Sequence, residues 1–328
     1  MLAYIPDTEA SERMDMTGRY RALGLDVRLG AAFSTPAEQM AAEVGEAEIL
    51  AVALGRVAAE VIDAAPRLRL IVKCGIGTEN IDVERARARG IGVVRTAGVN
   101  VLGAAEYVIA VALQHGRRLV ELDRAVRESR WVETRLATSG LVSSLTGKTI
   151  GVVGLGAIGR ETARLAAAHG MRVLAADPFL DTAAASALGA TLTTLDRLLA
   201  ESDVVTVHVV LDESTRHLIG STEFAAMKPT ALYVNAARGG VTDTAALVTA
   251  LQTGQIAHAA VDVLEEEPPQ PGSPLLGLAN VTLTPHLAGC TDHGFDEIGS
   301  KAASLTADWL AGRQLPGNCV LVEPGPAS

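Results

Sequence analysis

The stretch Gly151–Arg160, G-V-V-G-L-G-A-I-G-R, constrains the fold more than any other part of the sequence. Lys148, Thr149 and Ile150 lead into it, and a helix-forming run from Glu161 to His169 follows. Gly154 permits a tight turn out of a buried strand, and Gly156 leaves room for a pyrophosphate to approach the backbone. Gly159 lets the following helix pack closely. The helix N-terminus, at Ala157 and Ile158, offers N–H groups and the positive end of a dipole to the phosphates. A second strand, Val173–Ala176, ends in Asp177, which lies 23 positions past Gly154. That is close to the ~20 expected of a carboxylate that binds a ribose hydroxyl. Strand, glycine turn, helix, strand and acid together imply a dinucleotide site rather than a ligand-free turn.

Two alternating series surround this motif. In the first hundred residues the strand candidates are Leu2–Ile5, Asp26–Leu29, Ile49–Ala53, Leu70–Lys73 and Gly92–Arg95, with helices such as Pro36–Val44 and Val57–Ala64 between them. Such alternation implies a parallel sheet covered on both faces. No glycine fingerprint occurs there, so this sheet is not expected to hold the dinucleotide. Gly75-Ile76-Gly77 follows its fourth strand, where successive backbone N–H groups can form an anion nest or simply a local turn. From Thr149 a second series begins, with strands at Thr149–Val153, Arg172–Ala176, Val204–Val209, Ala231–Asn235, His258–Val263 and Val281–Thr284. Six strands with the fingerprint on the first match a complete dinucleotide-binding sheet. Between the series, Val99–Leu119 reads as a long apolar helix that must be buried by more than one neighbour, either a core or a second subunit. Trp131 reads as a packing anchor in the polar segment beyond it.

Composition removes several classes of partner. The net charge of −10, without a Lys/Arg-rich cluster, argues against nucleic acid. No apolar stretch is long enough to span a bilayer. The first ten residues carry Asp7 and Glu9 and lack the basic start of a secretory signal, so a cytoplasmic protein is expected. Cys74, Cys290 and Cys319 have neither disulfide-framework nor zinc-site spacing, and no metal is expected.

In a doubly wound sheet the ligand lies at the carboxyl ends of the strands. The polar residues there are Asp177, His208, the run Asn235-Ala236-Ala237-Arg238, Asp262 with Glu265-Glu266-Glu267, and His286. A guanidinium at Arg238, between a strand and two glycines, suits a carboxylate held bidentately. An imidazole at His286 suits proton transfer. A hydride acceptor, a cation and an imidazole are what oxidation of a hydroxy acid requires.

The chain resembles the NAD-dependent D-isomer-specific 2-hydroxyacid dehydrogenases over nearly its whole length. The resemblance is carried by L-x-G-K-T-x-G-V-V-G-L-G-x-I-G (Leu145–Gly159), T-R-H-L-I-G (Thr215–Gly220), N-A-A-R-G-G-V-T-D (Asn235–Asp243), A-V-D-V-L-E-E-E-P (Ala260–Pro268) and T-P-H-L-A-G-C-T (Thr284–Thr291). It implies an α/β protein of two Rossmann-like, doubly wound domains. A flavodoxin-like substrate domain would comprise residues 1–98 and 288–328, and an NAD-binding domain residues 99–287. It further implies Arg238 as substrate anchor, His286 as acid and base, Glu267 as its partner, and Asp262 as a holder of the nicotinamide carboxamide. Gly154, Gly156, Ala157, Ile158, Gly159, Asp177, His208, Ala236 and Ala237 would complete the NAD contacts. Gly75, Ile76 and Gly77 would meet the substrate carboxylate.

The expected ligands are therefore NAD, with Asp177 repelling a 2′-phosphate, and a small 2-hydroxy or 2-keto acid. A homodimer through Val99–Leu119 is expected. Two departures stand out. The family's H-x-P-L is His208-Val209-Val210-Leu211 here, and the early arginine of phosphoglycerate-type members is replaced by an apolar run up to Arg56. The latter disfavours a phosphorylated substrate. The sequence ends soon after the family's last helix, so no appended regulatory domain is expected. The readings set against this one are a dinucleotide-sensing corepressor and, among enzymes, a formate- or phosphite-type dehydrogenase.

Overall fold

Alternate residues along the strands pack to opposite sides of two separate sheets, as parallel sheets covered on both faces require. The computed structural model describes residues 1–32 and 35–327. The chain divides into two compact units, Met1–Asn100 with Thr291–Ser328, and Val101–Cys290.

In the first unit the strands are β1 (Leu2–Asp7), β2 (Asp26–Ala32), β3 (Ile49–Val52), β4 (Leu70–Lys73) and β5 (Gly92–Arg95). A last strand, Val320–Val322, joins them as an antiparallel edge on β5. The order across the sheet from the far edge is β2-β1-β3-β4-β5, the flavodoxin-like winding. Leu70 and Val72 point into one core with Trp309 of the helix Asp292–Leu310, and Ile71 points into the other with Met40. The order reverses between β1 and β3. There the buried Asp7 carboxylate accepts hydrogen bonds from the N–H groups of Ala53, Leu54 and Gly55 at 2.7–3.0 Å.

The second unit holds a seven-stranded parallel sheet. It comprises β6 (Thr149–Val153), β7 (Arg172–Ala176), β8 (Thr191–Leu192), β9 (Val204–Val207), β10 (Leu232–Asn235), β11 (His258–Val261) and β12 (Val281–Leu283). Their order is β12-β11-β10-β9-β6-β7-β8, which is the dinucleotide-binding winding with one strand added at the edge. Leu232 and Val234 of β10 enter one core, and Tyr233 between them enters the other. The winding reverses between β6 and β9, so the crevice at this sheet opens over the glycine turn that follows β6.

The expected strands are all present, four with the expected ends and the others with one end shifted by one to three residues where a loop begins. β8 and the Val320–Val322 strand escaped the sequence pattern. They are two and three residues long, too short to display a period. The expected Val99–Leu119 helix runs as Val101–Arg117, and Arg118, at φ 52°, turns the chain into a second helix, Leu119–Arg127. Several apolar side chains of Val101–Arg117, including Val108, Ile109 and Ala112, are buried in the unit's own core with Ala163 and Ala166 of the helix Ala157–Ala168. Leu102 and Ala110 of the same helix stay exposed. Trp131 is no packing anchor: it is 58% exposed, beside the exposed Val132 and Leu136. Among the described residues, no helix is long and apolar enough to cross a membrane.

Candidate functional site

The glycine turn after β6 is built as its sequence requires. Gly154 has φ 91°, and a β-carbon there would lie 3.0 Å or less from the His208 carbonyl oxygen and from Val209. A β-carbon on Gly159 would lie 2.0 Å from the Gly154 carbonyl oxygen, so the helix can start this close to the turn only with glycine there. At Gly156 a β-carbon would meet nothing within 4 Å. This residue is the N-cap of the helix Ala157–Ala168, and no side chain caps it. Open space therefore lies over a helix N-terminus whose first N–H groups, those of Ala157, Ile158 and Gly159, have no intrahelical acceptor. Asp177, after β7, accepts from the N–H of Leu155 on Oδ2 (2.8 Å) and of Phe179 on Oδ1 (2.9 Å). A carboxylate accepts about four hydrogen bonds, so capacity remains for a ribose diol.

His208, after β9, is held through Nε2 by the hydroxyls of Thr206 (3.1 Å) and Thr162 (3.4 Å). Its Nδ1 is buried without a hydrogen-bond partner. Burial pushes the imidazole down to about 4, so the ring is neutral near pH 7. A buried orphan nitrogen calls for a polar group from outside the protein. The glycine cradle, the carboxylate of Asp177 and this orphan nitrogen all fit a bound dinucleotide.

The remaining predicted residues follow β10, β11 and β12. Asn235, fully buried, holds the loop after β10 together. Its Oδ1 accepts from Ala237 N–H (3.0 Å), and its Nδ2 donates to the Arg238 carbonyl (3.0 Å) and to Thr242 Oγ1 (2.8 Å). Ala236, Ala237 and Arg238 are half-buried, and Arg238 Nη1 donates to the Ala237 carbonyl at 2.6 Å.

His286 is paired with Glu267: Nδ1 lies 2.8 Å from Oε2. The other Glu267 oxygen accepts from Leu264 N–H at 2.8 Å. The hydrogen bond to Glu267 raises the His286 pKa above its ordinary value, against burial, and the charges of Glu267 and Asp262 add to the rise. Burial pushes the Glu267 carboxyl up, but its bonds to His286 and Leu264 outweigh this and hold it below the usual range. The charge of Arg238 reaches both members, lowering each. Because Nδ1 is spent on the carboxylate, Nε2 is the nitrogen left to exchange a proton with a ligand. It accepts when the ring is neutral and donates when it is charged.

Asp262 has a role within the protein beside the carboxamide contact expected of it. It is 2% exposed and already accepts from Thr284 Oγ1 (2.5 Å), Leu287 N–H (2.9 Å) and Ala288 N–H (2.8 Å). One acceptor position remains for a carboxamide, but most of the carboxylate's capacity anchors the loop that carries His286. Tyr107 on the helix Val101–Arg117 extends this anchor, its hydroxyl 2.9 Å from Thr284 Oγ1. Tyr107 gave no signal in its apolar helix, whereas Thr284 was visible as the first residue of T-P-H.

In the first unit, Gly75, Ile76 and Gly77 form the turn after β4, with Gly75 at φ 147°. The Gly75 N–H donates to Thr96 Oγ1 (2.8 Å) and to the Lys73 carbonyl (3.1 Å), so it is not part of an anion nest. Ile76 and Gly77 keep N–H groups without a partner among the described residues.

Residues 109–288 match the family described as D-isomer specific 2-hydroxyacid dehydrogenase, NAD binding domain. A D-3-phosphoglycerate dehydrogenase of Archaeoglobus fulgidus is 44% identical over 269 residues, covering 82% of this chain and 50% of the relative. A glyoxylate reductase of Aeropyrum pernix is 41% identical over 285 residues, covering 86% of this chain and 85% of the relative. The chain thus spans about half the length of the phosphoglycerate dehydrogenase it matches and most of the glyoxylate reductase. The crystal structure of a D-lactate dehydrogenase from Aquifex aeolicus, complexed with NAD and lactic acid, is similar with a TM-score of 0.85 and 26% identity, covering 99% of this chain and 100% of that one.

Glu267→Gln removes the charge that favours the imidazolium. The His286 Cε1 proton, followed by NMR across pH, is expected to titrate lower than in the wild type. An unmoved midpoint would separate Glu267 from His286.

Proposed function

The chain belongs to the D-isomer specific 2-hydroxyacid dehydrogenase family, and we propose that it interconverts a small 2-hydroxy acid and its 2-keto acid with NAD(H). The observation that carries this reading is the His286–Glu267 pair, 2.8 Å apart within reach of the Arg238 charge. NAD, when bound, accepts or supplies the hydride. The protein supplies the rest. Arg238 holds the substrate carboxylate and orients the carbon that changes oxidation state. His286 Nε2 takes the hydroxyl proton in oxidation and returns it to the carbonyl oxygen in reduction. Glu267 stabilises the imidazolium that exists between those events.

On the cofactor side, Ala157, Ile158 and Gly159 present N–H groups to the pyrophosphate, Asp177 takes the adenosine ribose, and His208, Ala236, Ala237 and Asp262 line the rest. A carboxylate at Asp177 disfavours a 2′-phosphate, which supports NAD over NADP. Residues 99–287 would act as the NAD-binding domain, and 1–98 with 288–328 as the substrate domain. Cys74, Cys290 and Cys319 form no disulfide, which suits a cytoplasmic setting.

A panel of 2-keto acids tested with NADH is expected to give turnover with at least one small member, and much less with NADPH. His286→Ala should lower kcat by about 10²–10⁴-fold while NADH still binds. Wild-type turnover in that variant, or none in the wild type with any member, would overturn the reading.

A homodimer is part of the proposal, with the expected contact through Val99–Leu119 extended to the exposed segment beyond it. Val132 and Leu136, 68% and 77% exposed, lie with Trp131 on the helix Trp131–Thr138, and Leu119 and Val120 are exposed on its neighbour. Apolar side chains so open to water suit a second copy of the chain. Light scattering should give twice the chain mass, and Trp131→Glu with Leu136→Glu should give the monomer. A monomeric wild type would refute it.

A further inference from the structure

The T-R-H-L-I-G stretch, Thr215–Gly220, has no part in the chemistry described so far. Its His217 nevertheless forms a second imidazole–carboxylate pair. His217 Nε2 lies 2.6 Å from Oε1 of Glu265, two residues before Glu267. The other Glu265 oxygen accepts from Thr244 N–H at 3.0 Å, at the start of the helix Thr244–Thr253. Burial pushes the Glu265 carboxyl up, but the bonds from Thr244 and His217 outweigh it, and the net shift is downward.

The main chain of His217 makes a second grip. Its N–H donates to the Gly240 carbonyl at 2.8 Å, and two residues on, Ile219 pairs with Thr242 as an isolated parallel bridge. Between the two grips the Arg238 loop and the acidic turn touch backbone to backbone. A β-carbon on Gly239 would lie 2.0 Å from the carbonyl carbon and oxygen of Leu264. His217 spans that contact, with its backbone on one side and its ring on the other. It does so at φ 53°, a left-handed conformation that non-glycine residues adopt only when their surroundings impose it. Its side chain is 44% exposed and that of Glu265 33% exposed, and pairs so open to water contribute little to stability. Placement, rather than stability, is what this arrangement secures.

We propose that His217 is a positioning residue that braces the Arg238 loop against the Leu264–Glu267 turn and keeps Glu267 in register with His286. Its effect on catalysis rests on the dehydrogenase reading; its effect on His286 does not. Without the brace the acidic turn keeps fewer contacts, and the Glu267–His286 bond is made for a smaller part of the time. The imidazolium then loses part of its stabilisation.

The test compares wild type with His217→Asn, His217→Gln and Glu265→Ala. Asparagine tolerates the left-handed backbone but is too short to reach Glu265, whereas glutamine can still donate to it. In the protein without cofactor, the His286 Cε1 proton, assigned by its absence in His286→Ala, is titrated by NMR. The midpoint is expected to fall by about half a unit in His217→Asn and Glu265→Ala and to recover in His217→Gln. With NADH and the best 2-keto acid, kcat should fall about tenfold while KM for NADH stays within about twofold. A wild-type midpoint in His217→Asn overturns the brace, even if thermal stability drops. Should that variant not fold, Glu265→Ala decides by the same midpoint. A wild type without turnover removes the dehydrogenase reading, and the midpoint then judges the brace alone.

Discussion

The Asp262 carboxylate is the interaction on which the candidate site depends. It directly follows β11 in a position almost closed to water, and a buried charge is tolerated there only if its oxygens are satisfied. Three donors from one short loop, Thr284 Oγ1, Leu287 N–H and Ala288 N–H, satisfy it. The same three bonds fold that loop back over the strand end and hold His286 at φ 57°. A left-handed conformation costs a residue with a β-carbon about 1–2 kcal/mol. The N–H of His286, donated to the Asp262 carbonyl at 2.8 Å, helps to offset that cost. Loop geometry, imidazole orientation and the buried charge are therefore one problem with one solution.

From that anchor the rest follows in layers. With the ring oriented, Nδ1 can meet Glu267, whose own placement depends on the turn Leu264–Glu267. That turn lies against the Arg238 loop at Gly239, and the loop is tied by the buried Asn235. Asp262, Glu267, Asn235 and Arg238 each have a backbone partner, which is how a site at strand ends holds its geometry without a large apolar core around it. The cofactor side obeys a different logic. The glycine turn, Asp177 and His208 leave acceptor, donor and space unfilled, as the proposed dinucleotide site requires. His208 shows this most clearly, with one nitrogen bound by two threonines and the other left without a partner.

Much of this was readable from residue order alone. The glycine turn was legible because its three glycines answer to distinct steric demands, and the structure places each where a side chain would collide or would close the space. Arg238 and His286 were legible as residues following strands of one sheet, whereas Glu267 stood out from its two glutamate neighbours only through the family resemblance. The role of Asp262 as an anchor was not, since nothing in a sequence tells how many donors a carboxylate will find. Tyr107 and His217 were hidden for a related reason. Their partners, Thr284 and Glu265, lie 177 and 48 positions away along the chain. The apolar helix Val101–Arg117 suggested an interface because apolarity does not say which neighbour satisfies it.

The central claim is that one imidazole, charged more readily than an ordinary histidine because of Glu267, gives the proton in reduction and takes it in oxidation. The pH dependence of kcat/KM, measured in both directions on the same preparation, tests this most directly. Reduction needs the imidazolium and should fall as pH rises through the raised pKa; oxidation needs the neutral ring and should rise over the same range. The account predicts opposite limbs sharing one midpoint above the ordinary histidine value of about 6.5. Unrelated midpoints, or a reduction rate indifferent to pH across that range, would contradict it.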